Sequence, residues 1–264
     1  MKPAPFTYFD PESVIDAVAL LVEHDDAAVL AGGQSLVPLL NLRLARPAAV
    51  VDLRRIPALR DLSADAAAIR VGAMVTTAQL VAHPAATAGL REALLLVGHP
   101  QIRNRGTVGG SVAHADPAAE LPAVLVALGG TVELTGTSGT RTVDAADFFD
   151  GPFTTARRTD EIVTAVVVPR PPRRSTTVEV APRHGDFALA GAFVAVEGSG
   201  ARIGLFGVGD RPLRATEAEA AHEAGATPAE VGAVVSAHLD PADDVHAPGA
   251  YRAHVAGVLV RRAL

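Results

Sequence analysis

Between Arg103 and Glu120 the chain reads RNRGTVGGSVAHADPAAE, with three glycines set among Thr107, Ser111, His114, Asp116 and Glu120. Those residue types at that spacing allow three chemistries. A nucleophile is one, because GGSVA approaches the G-x-S-x-G elbow that presents a serine on a strained turn. Ala113 stands where the last glycine is needed, and His114 follows almost at once instead of arriving from a distant loop, so a hydrolase is disfavoured. A metal site would draw on His114, Asp116 and Glu120. The simpler reading makes Asp116 the N-cap of a helix starting near Pro117, with Glu120 as its capping-box partner. The third chemistry is an anion cradle, in which the amides of Thr107, Gly109, Gly110 and Ser111 form a nest for charged oxygen.

A second stretch, LAGGQSL at 30–36, places Gly32 and Gly33 where a strand ends and a helix begins. Amides at a helix start lack partners and carry partial positive charge, which suits phosphate. Taken alone, the stretch reads equally as a tight turn with Ser35 as N-cap. Two amide-rich loops together suit a pyrophosphate, whose two charged groups need donors from both sides. Neither loop is the Rossmann G-x-G-x-x-G, and no P-loop pattern occurs, which argues against a nicotinamide Rossmann domain or a P-loop ATPase. RHGDFALAG at 183–191 reads as a surface turn before a strand. RNR at 103–105 and RR at 157–158 read as solvated charge.

The elements that must position these residues alternate strand and helix in the first two-thirds of the chain. PESVIDAVALLVEH is an amphipathic helix with Ser13 near its cap. AAVLA and AAVVDL are short strands flanking a helical SLVPLLNLRLA, and AAAIRVGAMVT is a third strand. Residues 76–98 read as helix, and ELPAVLVALGG as a helix stopped by its glycines. TVELTG and TRTVDA make a hairpin around TSG, followed by the strand DEIVTAVVVP. PRPPRR at 169–174 is the best linker. Three strands then precede three helices at 215–224, 228–238 and 250–263, a small α+β unit.

Composition narrows the function classes. The 264 residues carry a net charge of −6 with no concentrated basic cluster, which argues against nucleic-acid binding. No apolar run is long enough to span a bilayer and the start has no apolar signal region, so a cytoplasmic protein is expected. The chain has no cysteine, hence no thiolate-held iron–sulfur cluster, cysteine-rich zinc site or disulfide of its own. Any redox chemistry must come from an organic cofactor or a partner.

Taken together, AGGQSL, IRNRGTVGGSVAHADPAAELP, RHGDFAL and the ending YRAHVAGVLVRRAL resemble the FAD-binding medium subunits of molybdenum hydroxylases, in the carbon monoxide dehydrogenase and xanthine dehydrogenase group. The likeness runs from FTYFDPES to the last helix. It implies a mixed α/β, α+β fold: a vanillyl-alcohol-oxidase-type FAD-binding domain over 1–172, with α/β subdomains at about 1–55 and 56–172, and a C-terminal α+β domain over 173–264 built on a three-stranded antiparallel sheet. The implied cofactor is FAD. Its diphosphate would meet Ala31, Gly32, Gly33, Gln34 and Ser35 on one loop, and Thr107, Val108, Gly109, Gly110 and Ser111 on the other. Asp116 and Glu120 would lie near the adenosine, the Val163 backbone would touch the isoalloxazine, and Phe187 would sit close to that ring. No catalytic side chain or metal ligand is implied.

The implied partners are a molybdenum-cofactor large subunit and a small subunit with two iron–sulfur clusters of the 2Fe–2S type, in a dimer of heterotrimers. The final electron acceptor stays open among NAD, a quinone and oxygen. Pro182 departs from the family pattern, which has a basic residue there, and Ser111 replaces a frequent asparagine. A scaffold chain that has lost its flavin and a free-standing flavin oxidase are the alternatives.

Overall fold

The computed structural model describes residues 1–171 and 174–264; Pro172 and Arg173, which hold the expected domain boundary and part of the expected linker, lie outside the described residues. The chain begins with β1 (Thr7–Phe9), α1 (Val14–Glu23), β2 (Ala27–Leu30), α2 (Leu36–Asn41) and β3 (Ala49–Asp52). These strands form a parallel sheet in the order β1–β3–β2, with Ala49 facing both Thr7 and Ala27. Ser13 caps α1 by accepting from the Asp16 amide at 3.1 Å. One helical turn apart, Ala17, Val18 and Leu21 point inward onto Val51 and Leu53. Ile162, from the next sheet, and Met74, from the turn after one of its strands, complete that core and lock the two units together.

The second sheet is antiparallel. It contains β4 (Leu62–Ala64), β5 (Ala68–Gly72), β6 (Thr131–Gly136) and β7 (Gly139–Asp144); its last strand follows a small hairpin of β8 (Phe149–Gly151) and β9 (Thr154–Thr155), and is β10 (Ile162–Pro169). The order is β4–β5–β10–β6–β7. The expected single helix over 76–98 is two, α3 (Thr77–Ala82) and α4 (Ala88–Leu96). Pro84 has no N–H to continue the ladder, and α3 is closed at its start by a full capping box of Thr76 and Gln79. A short α5 (Pro100–Arg103) leads into the glycine stretch. That stretch is helical rather than loop, as α6 (Val108–His114). Then α7 (Glu120–Leu128) ends at Gly129 with φ +69°. The expected Asp116–Glu120 capping box does not form: Ala119 holds the N-cap position, and Asp116 instead accepts from the Ala118 amide at 2.9 Å in a local turn. The one-turn α8 (Ala145–Phe148) joins β7 to β8.

The C-terminal unit has β11 (Arg174–Val180), β12 (Ala190–Glu197), β13 (Gly200–Phe206) and the two-residue β14 (Leu213–Arg214) in one antiparallel sheet, a short fourth strand added to the three expected. Behind it lie α9 (Thr216–Glu223), α10 (Pro228–Ala237) and α11 (Gly249–Ala263). Strand β12 is buried on both faces, which explains its unbroken apolar run. Phe193 and Ala195 face α4 and α7, whereas Ala190, Ala192 and Val194 face α10 and α11. The layers therefore stack as second sheet, α4 with α7, C-terminal sheet, then α9–α11. A polar seam fixes α4 to β11, where Glu92 accepts from the Thr177 amide at 2.8 Å and Thr177 donates to Gly89 O at 2.7 Å.

Candidate cofactor-binding site

Between β2 and α2 the chain must turn sharply against the α5–α6 connection. Gly33 takes φ +74°, and a Cβ on Gly32 would stand 2.3 Å from the Arg105 carbonyl oxygen. Only glycine permits that approach, and it brings the two glycine stretches into contact. The amides of Gly32, Gly33, Gln34 and Ser35 meet no acceptor among the described residues. Ser35 occupies the N-cap position of α2 without making the expected side-chain cap bond, so its hydroxyl is also free.

The second stretch is built the opposite way. A bridge between Thr76 and Thr107 sews it onto the β5–α3 connection. The Val108 amide donates to Val75 O and the Gly109 amide to Ala73 O, both at 2.9 Å. Thr107 caps α6 by accepting from the Gly110 amide at 3.2 Å, and the Ser111 amide donates to Thr107 O at 3.0 Å. Of the nest expected from Thr107, Gly109, Gly110 and Ser111, the last three amides are already satisfied, and only the Thr107 amide meets no acceptor among the described residues. What this stretch offers is the Thr107 amide, the Thr107 and Ser111 hydroxyls and a smooth glycine surface. Val108 does not line the cleft: its side chain is buried in the second-sheet core and its amide is engaged.

One cleft of about 530 Å³ gathers all the other expected residues: Ala31, Gly32, Gly33, Gln34 and Ser35 from the first stretch, Thr107, Gly109, Gly110 and Ser111 from the second, and Asp116, Glu120, Val163 and Phe187. Burial pushes the Glu120 carboxyl up to about 8, and the nearby Glu179 and Asp116 charges add to the rise. Burial likewise raises Glu179 to about 7, and its buried Oε2 has no partner among the described residues. Glu120 therefore keeps its proton near neutrality and can donate as well as accept. Val163 lies on β10 at a register shift against β6. Phe187 lines the cleft while 75% exposed. It belongs to the 183–191 segment expected as a surface turn, which is held by an Arg183–Asp186 bond of 2.9 Å and rests on His99 at Gly185.

Sequence reasoning missed three arginines. Arg103, read as solvated, donates to the carbonyls of Leu95, Val97 and Gly98 at 2.9–3.1 Å and so closes the end of α4. Arg141 makes a bidentate pair with the buried Glu161 at 2.6 and 2.8 Å, which holds that carboxyl below the usual range. Arg157, also read as solvated, is half-buried and lines the cleft. Nothing in the RR dipeptide distinguishes the inward residue from Arg158; the signal lies in the fold of 156–161. No hydrogen bond joins Ser111 to a base among the described residues, and the His114 ring packs on Phe153 with centroids 5.0 Å apart. Among the described residues no three of His, Cys, Asp or Glu converge on a point able to hold a metal.

A row of free amides, three hydroxyls and a surface stripped of Cβ atoms fit a diphosphate, which neutral donors can solvate without a lysine or arginine. The family model for the FAD-binding domain of molybdopterin dehydrogenases matches residues 4–171, and that for the C-terminal domain of carbon monoxide dehydrogenase flavoproteins matches 177–264. The chain belongs to the FAD-binding medium subunits of the molybdenum hydroxylases. Its cofactor is FAD, and it is an oxidoreductase component. The carbon monoxide dehydrogenase medium chain of Afipia carboxidovorans is 40% identical to this medium subunit, covering 100% of this chain and 97% of that one. The 6-hydroxypseudooxynicotine dehydrogenase complex subunit alpha of Paenarthrobacter nicotinovorans is 39% identical, covering 100% and 95%. A solved carbon monoxide dehydrogenase from Hydrogenophaga pseudoflava, lacking the Mo-pyranopterin moiety, superposes with a TM-score of 0.94 at 36% identity over 99% of this chain and 96% of that one. The mixed α/β and α+β build of the medium subunit is the one expected from its sequence. No helix among the described residues is long and apolar enough to cross a membrane.

Proposed function

We propose that this medium subunit is a cytoplasmic electron-transfer chain, carrying electrons from the iron–sulfur clusters of a small partner subunit, through FAD in the cleft, to a final acceptor. The clusters would in turn be served by a molybdenum-cofactor large subunit, in a dimer of heterotrimers. One observation carries the reading: the unpaired amides of Gly32–Ser35 face the capped start of α6 within a single cleft. On this reading those amides hold the diphosphate, and the hydroxyls of Ser35, Thr107 and Ser111 flank it. Asp116 and the protonated Glu120 meet the adenosine, while the Val163 backbone and Phe187 border the isoalloxazine. On this reading the FAD-binding domain takes in the described residues up to 171 and the C-terminal domain those from 174 onward.

FAD, when bound, accepts electrons singly and releases them as a pair, which suits a place between one-electron clusters and a two-electron acceptor. The chain's part is to bind and orient. It fixes the diphosphate by donors that need no reorganisation, and Val29, Leu39 and Ile162 add apolar wall to the cleft. The absence of cysteine agrees with clusters held by another subunit. Two relatives whose names give unrelated substrates match this chain almost equally, which supports a substrate site on another subunit. The test is isolation of the native complex through a tag on this chain, with flavin and metal analysis. FAD, iron and molybdenum in fixed proportion support the proposal; flavin with neither metal refutes its partner half.

A further inference from the structure

The cleft lining holds four carboxyl groups but a single arginine or lysine among the described residues, Arg157. Two of those acids are already paired, Glu161 with Arg141 at 2.6 Å and Asp186 with Arg183 at 2.9 Å. Arg157 has no carboxylate within ion-pair distance among the described residues. Its Nη1 donates to the carbonyls of Arg158 at 2.8 Å and Glu161 at 2.7 Å, with a longer contact to Thr159 at 3.5 Å, while Nη2 and Nε find no acceptor among the described residues. A guanidinium taken partly out of water with donors to spare is costly unless something anionic completes it. Burial accordingly lowers its proton affinity, which remains high enough to keep it charged.

The Glu161 carbonyl that tethers Arg157 lies two residues before Val163, where the proposed function places the isoalloxazine. We infer that Arg157 is a tuning residue whose fixed positive charge stands against the flavin ring and favours its reduced, anionic form. Two electrons from the partner's iron–sulfur clusters and one proton from solvent convert the neutral ring to that anion. A nearby cation binds the product more tightly than the reactant, and that difference raises the reduction potential. The inference rests on the proposed function for the position of the ring.

The test is an equilibrium redox titration of the full chain loaded with FAD, beside its affinity for oxidised FAD and for ADP. Arg157→Gln keeps donors for the carbonyls but removes the charge. It is expected to lose about tenfold in preference for reduced flavin, a fall of about 30 mV for a two-electron couple, while Arg157→Lys stays near wild type. A wild-type potential in FAD-loaded Arg157→Gln overturns the inference. So does an equal loss of FAD and ADP affinity with no change in potential, which would assign the guanidinium to the diphosphate. A second reading needs no variant. In the wild-type chain the potential should move by about 30 mV per pH unit even in mildly acidic buffer, as for one proton per electron pair, and about 59 mV per unit would contradict it. A wild-type chain that takes up no FAD refutes this inference and the proposed function together.

Discussion

Replacing Gly110 with aspartate puts a carboxylate against the free amides of the first glycine stretch. A Cβ at Gly110 stands 3.3 Å from the Ala31 Cβ, 4.0 Å from the Gly32 amide nitrogen and 2.8 Å from Thr107 Oγ1. The carboxylate would then lie about 5 Å from a diphosphate bound on those amides. One charge against two at that distance costs about 1.7 kcal/mol at the permittivity of water and about 6.6 kcal/mol at an effective value near 20. Because the cleft opens to solvent, the lower half of that span applies, and a loss of roughly a hundredfold in FAD affinity is expected. Gly110→Ala and Gly110→Asn share the displaced Thr107 hydroxyl, worth about 1 kcal/mol of stability as a lost cap. They lack the charge. FAD binding followed by flavin fluorescence should rank Ala and Asn together and Asp well below, with the gap narrowing as salt is added. Equal affinity of the Asp and Asn variants would refute the placement of the diphosphate.

Two further outcomes follow from the titrating groups. The Glu120 carboxyl is raised from 4.5 to about 8 in the folded chain, so between those values the unfolded chain has released a proton that the folded one retains. Stability of the FAD-free chain should therefore fall as pH rises through that window. Glu120→Gln should flatten the dependence of Tm on pH, leaving the smaller slope due to Glu179; an unchanged slope would contradict the assignment. Glu161 is held low by Arg141, so its contribution is present above the ordinary carboxylate range and is lost as pH falls through the depressed value. Removing one partner of this buried pair with Glu161→Gln should cost about 3 kcal/mol in urea unfolding, the lower end for buried pairs because Arg141 is one-third exposed. A change near zero would show that the pair contributes nothing.

Where local chemistry decides the structure, the sequence was readable. The Ser13 cap, the glycine stop at Gly129 and the TSG hairpin each follow from residues next to one another. The helix break at Pro84 was equally local and was missed because the apolar pattern continued past it. The glycine stretch at 106–111 misled for a subtler reason. Its glycines suggested exposed amides, yet Thr107 takes those of Gly110 and Ser111 as a local cap, while acceptors at Val75 and Ala73, which leave no trace in local sequence, take those of Val108 and Gly109. Arg157 and Glu120 show the same limit, since the fold that buries them lies elsewhere in the chain. In the first stretch nothing distant among the described residues claims the amides, so the open donors suggested by its local sequence persist in the fold.

The central claim is that the free amides of Gly32–Ser35 hold a dinucleotide diphosphate. The most direct measurement is the visible spectrum of the purified full chain after incubation with FAD or FMN, with the retained cofactor released and identified by chromatography. The account predicts a yellow protein that retains FAD at one per chain and discards FMN. A colourless protein, or one that holds FMN as firmly as FAD, would contradict it.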